Sequence, residues 1–266
     1  VSSGAIALGC IKMSYNKKYI NNLLNQNARF DGRGPVEFRE VKVEYDVIET
    51  AMGSAKVNIG KTQVIAGIKL TPVEPYSDSP DEGTLMVNVE LIPLSGEDYE
   101  MGPPKFKAIE LARVVDRGIR EGKAIDTKKL VLKNGKVWQV SIDIVSINDS
   151  GNLMDACGLA AIAAIKNCRF PVINGDDIDF DAKSDIGLPI NVEPVPVTVV
   201  RIGNYYITDP TKEEEEALDD RLTVGILPDQ KICSVQKGGN SSITLDDIDK
   251  MFDIAIMKSE ELRKAL

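Results

Sequence analysis

Residues Asn152–Asn167 restrict the fold more than any other segment, because they have helical length and are apolar nearly all round. A surface helix needs a polar face, and this segment lacks one. We therefore predict a central helix that other elements cover on every side. The chain can supply that cover, since 43% of its 266 residues are apolar. No apolar run approaches the ~20 residues that span a bilayer, so we expect no membrane contact.

Strand patterns account for most of what surrounds this helix. Apolar and polar side chains alternate at 41–45 and 55–59, and Gly60-Lys61 predicts a tight hairpin into a further strand at 62–70. Other strands are predicted at 85–92, 137–147, 195–202, 205–208, 222–227 and 232–236. Further helices are predicted at about 16–27, at 105–121 and from Thr244, where Thr-Leu-Asp-Asp fits an N-terminal capping pattern. This interleaving indicates an α+β fold, with sheets covered by helices on one side.

The domain organisation follows from what the chain lacks. No Pro/Gly/Ser-rich linker interrupts residues 13–266, so we predict one domain there. Residues 1–12 differ in character, and Met13 opens a segment typical of a native start. We interpret 1–12 as a non-native or disordered leader. A signal peptide is not recognisable and the four cysteines never approach a CxxC spacing, which favours a reducing, cytoplasmic compartment.

Several kinds of chemistry are excluded or disfavoured by composition. The chain has no histidine, which removes His-based triads and His metal ligands. The acidic runs at 176–185 and 209–221 are interpreted as solvated loops and a helix start, because consecutive carboxylates fix no coordination geometry for a metal. Cys157 and Cys168 are expected to be packing residues, and Trp138 to lie in the core or an interface. We predict neither a metal nor a cofactor.

Residues 105–130 carry a local excess of positive charge on an acidic chain. The whole sequence has a net charge of −9, but this segment has five lysines and three arginines against four acidic residues. A local basic surface is therefore compatible with the acidic total. The apolar residues of the predicted helix are expected to form one core-facing stripe, made of Phe106, Ile109, Ala112, Val115 and Ile119.

Three arginines on the same helix form the main candidate binding feature. Arg113, Arg117 and Arg120 are spaced i, i+4, i+7, which confines them to about 60° of the helix circumference. Such a stripe can hold successive phosphates of a single nucleic-acid strand without reading its sequence. The alternative, which composition favours, is a solvated face whose arginines pair with Glu110 and Asp116. The residue pattern alone leaves both interpretations open.

Four motifs resemble the RNase PH family in order and spacing. They are Asn27–Arg33 (NARFDGR), the hairpin Gly53–Val64, the helix segment Glu110–Arg117 (ELARVVDR) and Gly151–Ala156 (GNLMDA). More narrowly, the chain resembles the branch of this family that forms part of the archaeal exosome and has no active site of its own. The similarity runs from about Asn27 to the C-terminus.

The resemblance implies a fold, partners and a role. The fold would be RNase PH-like, of the ribosomal protein S5 domain 2 type. The chain would join a catalytic RNase PH-like paralogue in a ring of three heterodimers that degrades RNA from its 3′ end by phosphorolysis, with RNA-binding cap proteins on the ring. Arg113 and Arg117 match the RNA-contacting arginines of the inactive subunit, whereas Arg120 does not.

The same comparison of motifs implies that catalytic residues are missing here. Active members of the family place an arginine for phosphate at the start of the buried helix, where this chain has Leu153. Asp155, in the first turn, is expected to place a carboxylate where the anion would bind. The position of the catalytic Asp, counted from Asp209, falls on Arg221. We therefore expect no catalytic residue in this chain.

Two alternatives remain at this stage. A one-residue shift in that count would place Asp220 at the catalytic position, so the chain could itself be a phosphorolytic exoribonuclease using Asp220 or Asp219. It could also be a non-enzymatic RNA-binding scaffold that has only the S5-like fold. Leu153 is the feature that separates the non-catalytic subunit from the enzyme.

Overall fold

The computed structural model describes residues 17–132, 135–175 and 177–266. The predicted leader, residues 1–12, lies outside them. The helices are α1 (17–25), α2 (Phe106–Glu121), α3 (Leu153–Asn167), α4 (Lys212–Ala217) and α5 (Leu245–Arg263). The strands are β1 (Val41–Tyr45), β2 (Gly53–Ile59), β3 (Thr62–Val73), β4 (Thr84–Leu91), β5 (Val137–Asn148), β6 (Arg169–Asn174), β7 (Asp177–Gly187), β8 (Val195–Ile202), β9 (Tyr205–Thr208), β10 (Asp220–Ile226) and β11 (Ile232–Gly239).

Two sheets and one hairpin organise these strands. The first sheet has the order β1-β2-β3-β5-β4, and only its β4–β5 pair is parallel. The second sheet is antiparallel, with the order β11-β10-β8-β9. In the part of the chain that the structure describes, strands β6 and β7 pair only with each other. The α+β class and the predicted β2–β3 hairpin at Gly60-Lys61 are thus confirmed.

Helix α3 lies between the two sheets, as its apolar sequence predicted. Every residue from Leu153 to Ile165 is buried. The helix packs against β2, β3 and β5 of the first sheet and against β8 of the second, which explains why no side of it is polar. Among the described residues, no helix is long and apolar enough to cross a membrane. Cys157, Cys168 and Trp138 are buried as expected.

The second sheet differs from the expectation of helices on one side, because both of its faces are covered. On one face the Thr198 hydroxyl lies 2.8 Å from the Asp155 carboxylate of α3. Side chains alternate between the two faces of a strand, so Arg201 lies on the face opposite to Thr198. It pairs with Tyr206 of β9, whose hydroxyl donates to Asp247 of α5 at 2.5 Å. Strands β8 and β10 are therefore buried on both faces, which fits their nearly continuous apolar sequences.

The expected core stripe of α2 was wrong in part. The buried residues of this helix are Ala108, Leu111, Val115 and Ile119, whereas Phe106 and Ile109 are exposed. At 100° per residue Phe106 lies about 160° from Ala108, so the two residues cannot share a face. The β6–β7 hairpin was also not predicted, and most of the acidic run at 176–185 is strand β7 rather than loop.

Candidate functional site

The start of α3 is the position where the resemblance expects a phosphate site. Gly151 (φ +91°) and Asn152 (φ +60°) precede the helix in the left-handed conformation. Leu153, the first helical residue, is buried, so an apolar side chain stands where an anion would need a cation. A β-carbon at Gly151 would lie 2.4 Å from the Pro210 carbonyl oxygen. Only glycine fits there, because the segment after β9 packs directly on the helix start.

A carboxylate from that segment already binds the helix end. The backbone N–H of Asn152 donates to Oε1 of Glu215 at 2.8 Å. Glu215 belongs to α4, and packing of the segment 210–212 against Gly151 brings α4 to this position. A helix N-terminus attracts one negative group, and here a side chain of the same chain supplies it.

Lys107 and Asp149 complete the charged surroundings of Glu215. The Lys107 ammonium lies 2.7 Å from the Tyr99 hydroxyl and 3.0 Å from Oδ2 of Asp149, whose Oδ1 accepts from Gly151 N–H at 3.1 Å. Burial raises the pKa of Glu215, an effect that Lys107 opposes. Burial would also raise the pKa of Asp149, but Lys107 and the hydrogen bonds hold it below its ordinary value. The cation at this site is already balanced by carboxylates of the chain.

Asp155 does not have the position that the sequence suggested. It lies in the first turn of α3, yet its carboxylate accepts from the Thr198 hydroxyl at 2.8 Å and from Nδ2 of Asn152 at 2.9 Å, both in the interior. Burial raises the pKa of Asp155 to about 7, although these hydrogen bonds lower it. The group that fills the anion position is Glu215, which sequence reasoning missed.

Strand β10 places the two candidates for the catalytic position on opposite faces. Arg221 points towards α2, where its Nη2 lies 2.6 Å from Oε1 of Glu110. Asp220 is fully buried on the other face and forms ion pairs with Arg201 and with Lys237, the latter at 3.0 Å. The residue on the α2 side is therefore a cation, and the neighbouring carboxylate is engaged away from the start of α3.

The NARFDGR motif anchors the acidic segment that follows β9. Arg29 and Glu214 form a buried ion pair, with Nε 2.9 Å from Oε1. Asp209, also buried, accepts from Nη1 of Arg33 at 2.8 Å and from Nη2 of Arg39 at 2.6 Å. The interpretation of 209–221 as a solvated loop was thus wrong for these carboxylates, whereas the predicted helix start is confirmed by α4.

The arginine stripe of α2 is exposed, and its acidic neighbours have other partners. Glu110 pairs with Arg221, and Asp116 pairs with Arg120 at 2.8 Å. In the described ranges Arg113 has no hydrogen-bond or ion-pair partner, and Arg117 has only a 3.4 Å contact with Gln236. The proposed pairing of Arg113 and Arg117 with Glu110 and Asp116 does not occur. Among the described residues, the two guanidinium groups on this helix face are therefore left without a carboxylate partner.

The two tyrosines of β9 contact other helices. Tyr205 donates a hydrogen bond to Asn25 of α1, and Tyr206 donates to Asp247 of α5. A cavity of about 760 Å³ lies at the far end of α2, with Tyr76 and Arg120 among its lining residues, and includes no residue from the start of α3.

Comparison with known proteins gives two family matches in chain order. Residues 37–171 match domain 1 of the 3′ exoribonuclease family RNase PH, and residues 193–258 match domain 2. The exosome complex component Rrp42 of Archaeoglobus fulgidus is 44% identical over 255 residues, which is 96% of either chain. Rrp42 of Pyrococcus furiosus is 43% identical and covers 94% of this chain and 92% of its own.

Solved structures agree with these matches. A chain in the Archaeoglobus fulgidus exosome with RNA bound to the active site has a TM-score of 0.87 at 43% identity, covering 96% of this chain and 98% of that one. A chain of an archaeal exosome core has a TM-score of 0.83 at 41% identity, covering 96% and 97%. Rice Rrp46, at 16% identity and a TM-score of 0.68 over 89% and 97% of the two chains, shares the fold.

Proposed function

The chain belongs to the RNase PH family of 3′ exoribonucleases, and from that premise we propose that it is a non-catalytic subunit of an archaeal exosome. It structures the active site of a catalytic paralogue in a ring of three heterodimers, in the cytoplasm, and contributes to RNA binding. Cap proteins that bind RNA complete the assembly. Its Rrp42 relatives, 44% and 43% identical, support the exosome assignment.

The observation that carries the non-catalytic role is the carboxylate of Glu215 on the start of α3. Phosphorolysis needs inorganic phosphate as the attacking group, and the backbone N–H that would bind it already donates to Glu215. Leu153 supplies no positive charge, and a phosphate there would face the carboxylates of Glu215 and Asp149. Repulsion between like charges in a half-buried site opposes phosphate binding.

The enzyme alternative, with Asp220 or Asp219 as the catalytic group, is disfavoured by the same geometry. The Asp220 carboxylate is buried between Arg201 and Lys237 on the α5 side of the second sheet. Asp219 accepts from the backbone N–H of Gly203 at 2.8 Å and pairs with Lys17. Neither carboxylate points to the start of α3, where the phosphate would have to bind.

The RNA-binding role rests on Arg113 and Arg117. Both guanidinium groups are exposed and lack carboxylate partners among the described residues. The helix rise places neighbouring arginines about 6 Å apart along the axis, so the stripe can contact more than one phosphate. Contacts of this kind hold the backbone and carry no sequence information.

Large exposed apolar side chains support assembly with a partner. Leu94 and Met101, which precede α2, are both more than 75% exposed. Exposed apolar surface of this kind is typical of interaction sites. Within the described residues the outermost strands of the two sheets have a strand neighbour on one side only, and a neighbouring subunit can cover the other side.

We expect the isolated chain to release no nucleoside diphosphate from poly(A) in the presence of phosphate. One charge-stabilising group is typically worth about 10²- to 10³-fold in rate, and this chain lacks both the phosphate cation and the catalytic carboxylate. Addition of the catalytic paralogue should restore phosphate-dependent decay. Product release is measured by thin-layer chromatography, with phosphate-free reactions to detect contaminating hydrolases.

Phosphate-dependent turnover by the chain alone would reverse this assignment in favour of the enzyme. If the chain binds RNA but leaves the decay rate of the paralogue unchanged, the scaffold alternative is correct instead.

Assembly gives a separate expected result. Light scattering of the chain mixed with its paralogue should give a mass of about six subunits, as expected for closed ring symmetry. The chain alone should associate weakly or aggregate, because its exposed edges and apolar side chains remain uncovered. A stable, monodisperse monomer that ignores the paralogue would contradict the proposed partnership.

A further inference from the structure

The outer face of α2 combines an aromatic side chain with the free arginines. Phe106 is 81% exposed and Ile109 is 45% exposed, although both were expected in the core. The spacing 106, 109, 113, 117 keeps these residues within about 80° of the helix circumference, opposite the buried stripe. One exposed face of α2 therefore presents an aromatic ring in its first turn and two unpaired guanidinium groups in the turns that follow.

This combination has the chemistry of a site for single-stranded nucleic acid. Such sites pair cations that follow the backbone with aromatic rings on which bases stack, and stacking tolerates any base. The other face of the helix is well packed, and an aromatic ring that remains exposed to water contributes little to the stability of the fold. Among the described residues no aromatic neighbour stacks on Phe106, and its 81% exposure leaves the ring accessible to a base.

We propose that Phe106 is an RNA-stacking residue, which binds one base of a strand whose phosphates Arg113 and Arg117 hold. The inference rests on the proposed RNA-binding role of the two arginines. Along the helix axis Phe106 lies about 10 Å from Arg113, so the base on Phe106 and the phosphate on Arg113 belong to different nucleotides. The contact adds affinity and leaves base specificity unchanged, because every base has a π-face.

The test compares variants of the complex with the catalytic paralogue in binding a fluorescent oligoadenylate at several salt concentrations. F106A should weaken binding roughly tenfold, within the range that alanine substitution gives for one stacked base. Because Phe106 is neutral, the salt dependence should stay that of the parent. F106W should retain affinity and F106L should lose it, since leucine keeps apolar area but has no π-face. M257A, which removes a 56% exposed side chain from α5, serves as the matched control and should change nothing.

The outcomes separate this inference from the proposed function. Parent-like binding by F106A, or full affinity in F106L, would overturn stacking. The proposed role of Arg113 and Arg117 would be unaffected, because separate variants of those two residues test it. Loss of assembly by F106A, read by light scattering, would also overturn it and make Phe106 a subunit contact. A photocrosslink from 4-thiouridine RNA to the peptide that contains Phe106 supports stacking directly, and crosslinks confined to other peptides count against it.

Discussion

Reversing the two free arginines of α2 is expected to weaken RNA binding by the assembled complex at least tenfold. The change is Arg113→Glu with Arg117→Glu, which replaces two phosphate contacts by two repulsions. Hydrogen bonds to charged groups contribute about 1.5–3 kcal/mol each, and 1.4 kcal/mol corresponds to a factor of ten in affinity, so the loss of a single contact already gives the tenfold lower bound. The loss should be the same for different base sequences, because the arginines contact the backbone. Filter binding with two unrelated oligonucleotides measures it.

Salt dependence gives this prediction a second readout. Each phosphate neutralised on a single strand contributes ~0.7 to the slope of log affinity against log salt, so losing two contacts should flatten the slope by about 1.4. Arg113→Lys with Arg117→Lys keeps both charges and should keep the slope. Lys18→Glu with Lys264→Glu changes the net charge equally, away from α2, and should leave binding close to the parent.

If the charge-reversed variant and the parent had equal affinity for RNA and an equal salt slope, neither arginine would contact RNA. The chain would then act through its fold and its subunit contacts alone.

The elements that the sequence predicted best are those whose own residues determine their position or their ends. Helix α3 is apolar on all sides, so it can be fully buried only between two layers of structure. It lies between the two sheets, as predicted. Thr244 caps α5 as predicted, because the Thr-x-x-Asp pattern supplies both reciprocal hydrogen bonds by itself. The β6–β7 hairpin was missed although β7 alternates, with Ile178, Phe180 and Ala182 placed between charged residues. The high charge of this run favoured the interpretation as a solvated loop, and within the described residues the two strands are mostly exposed and pair only with each other.

The candidate site was harder to predict, because it depends on which side chains fold inwards. Four consecutive glutamates, 213–216, look alike in the sequence. In the structure Glu214 binds Arg29 and Glu215 reaches Asn152, so packing of the segment 210–212 against Gly151 selects them. The absence of a cation at Leu153 could be recognised from the motif alone. The contact of Glu215 with the start of α3 could not be recognised in this way, since Asn152 and Glu215 lie more than sixty residues apart in the sequence.

Removing the carboxylate of Asp209 is expected to destabilise the protein by about 3 kcal/mol, the lower end of the range for breaking a buried ion pair. Asp209 accepts from Arg33, from the backbone and side chain of Arg39, and from Nδ2 of Asn152. Asp209→Ala leaves these donors without their acceptor. The lower end applies because the side chains of Arg33 and Arg39 are 10% and 13% exposed and can regain some water.

Thermal unfolding at neutral pH measures the effect, with an expected fall in Tm of about 6–12 °C for a chain of this size. Asp229→Ala removes a carboxylate from the exposed pair with Lys231 and should leave the midpoint unchanged, since exposed pairs contribute little. An equal shift in both variants would mean that burial of Asp209 does not matter.

The pH dependence of the same comparison tests the cause of the effect. Burial would raise the pKa of Asp209, but Arg39 and Arg33 hold it below its ordinary value of 3.8. A carboxyl with a lowered folded pKa contributes stability that is complete above the unfolded pKa and is lost as pH falls through the folded one. The advantage of the parent over Asp209→Ala should therefore be constant from neutral pH down to about 5 and shrink in more acidic solution. If the advantage were instead the same in acid as at neutral pH, the Asp209 side chain would stabilise the fold by packing, and its charge would contribute nothing.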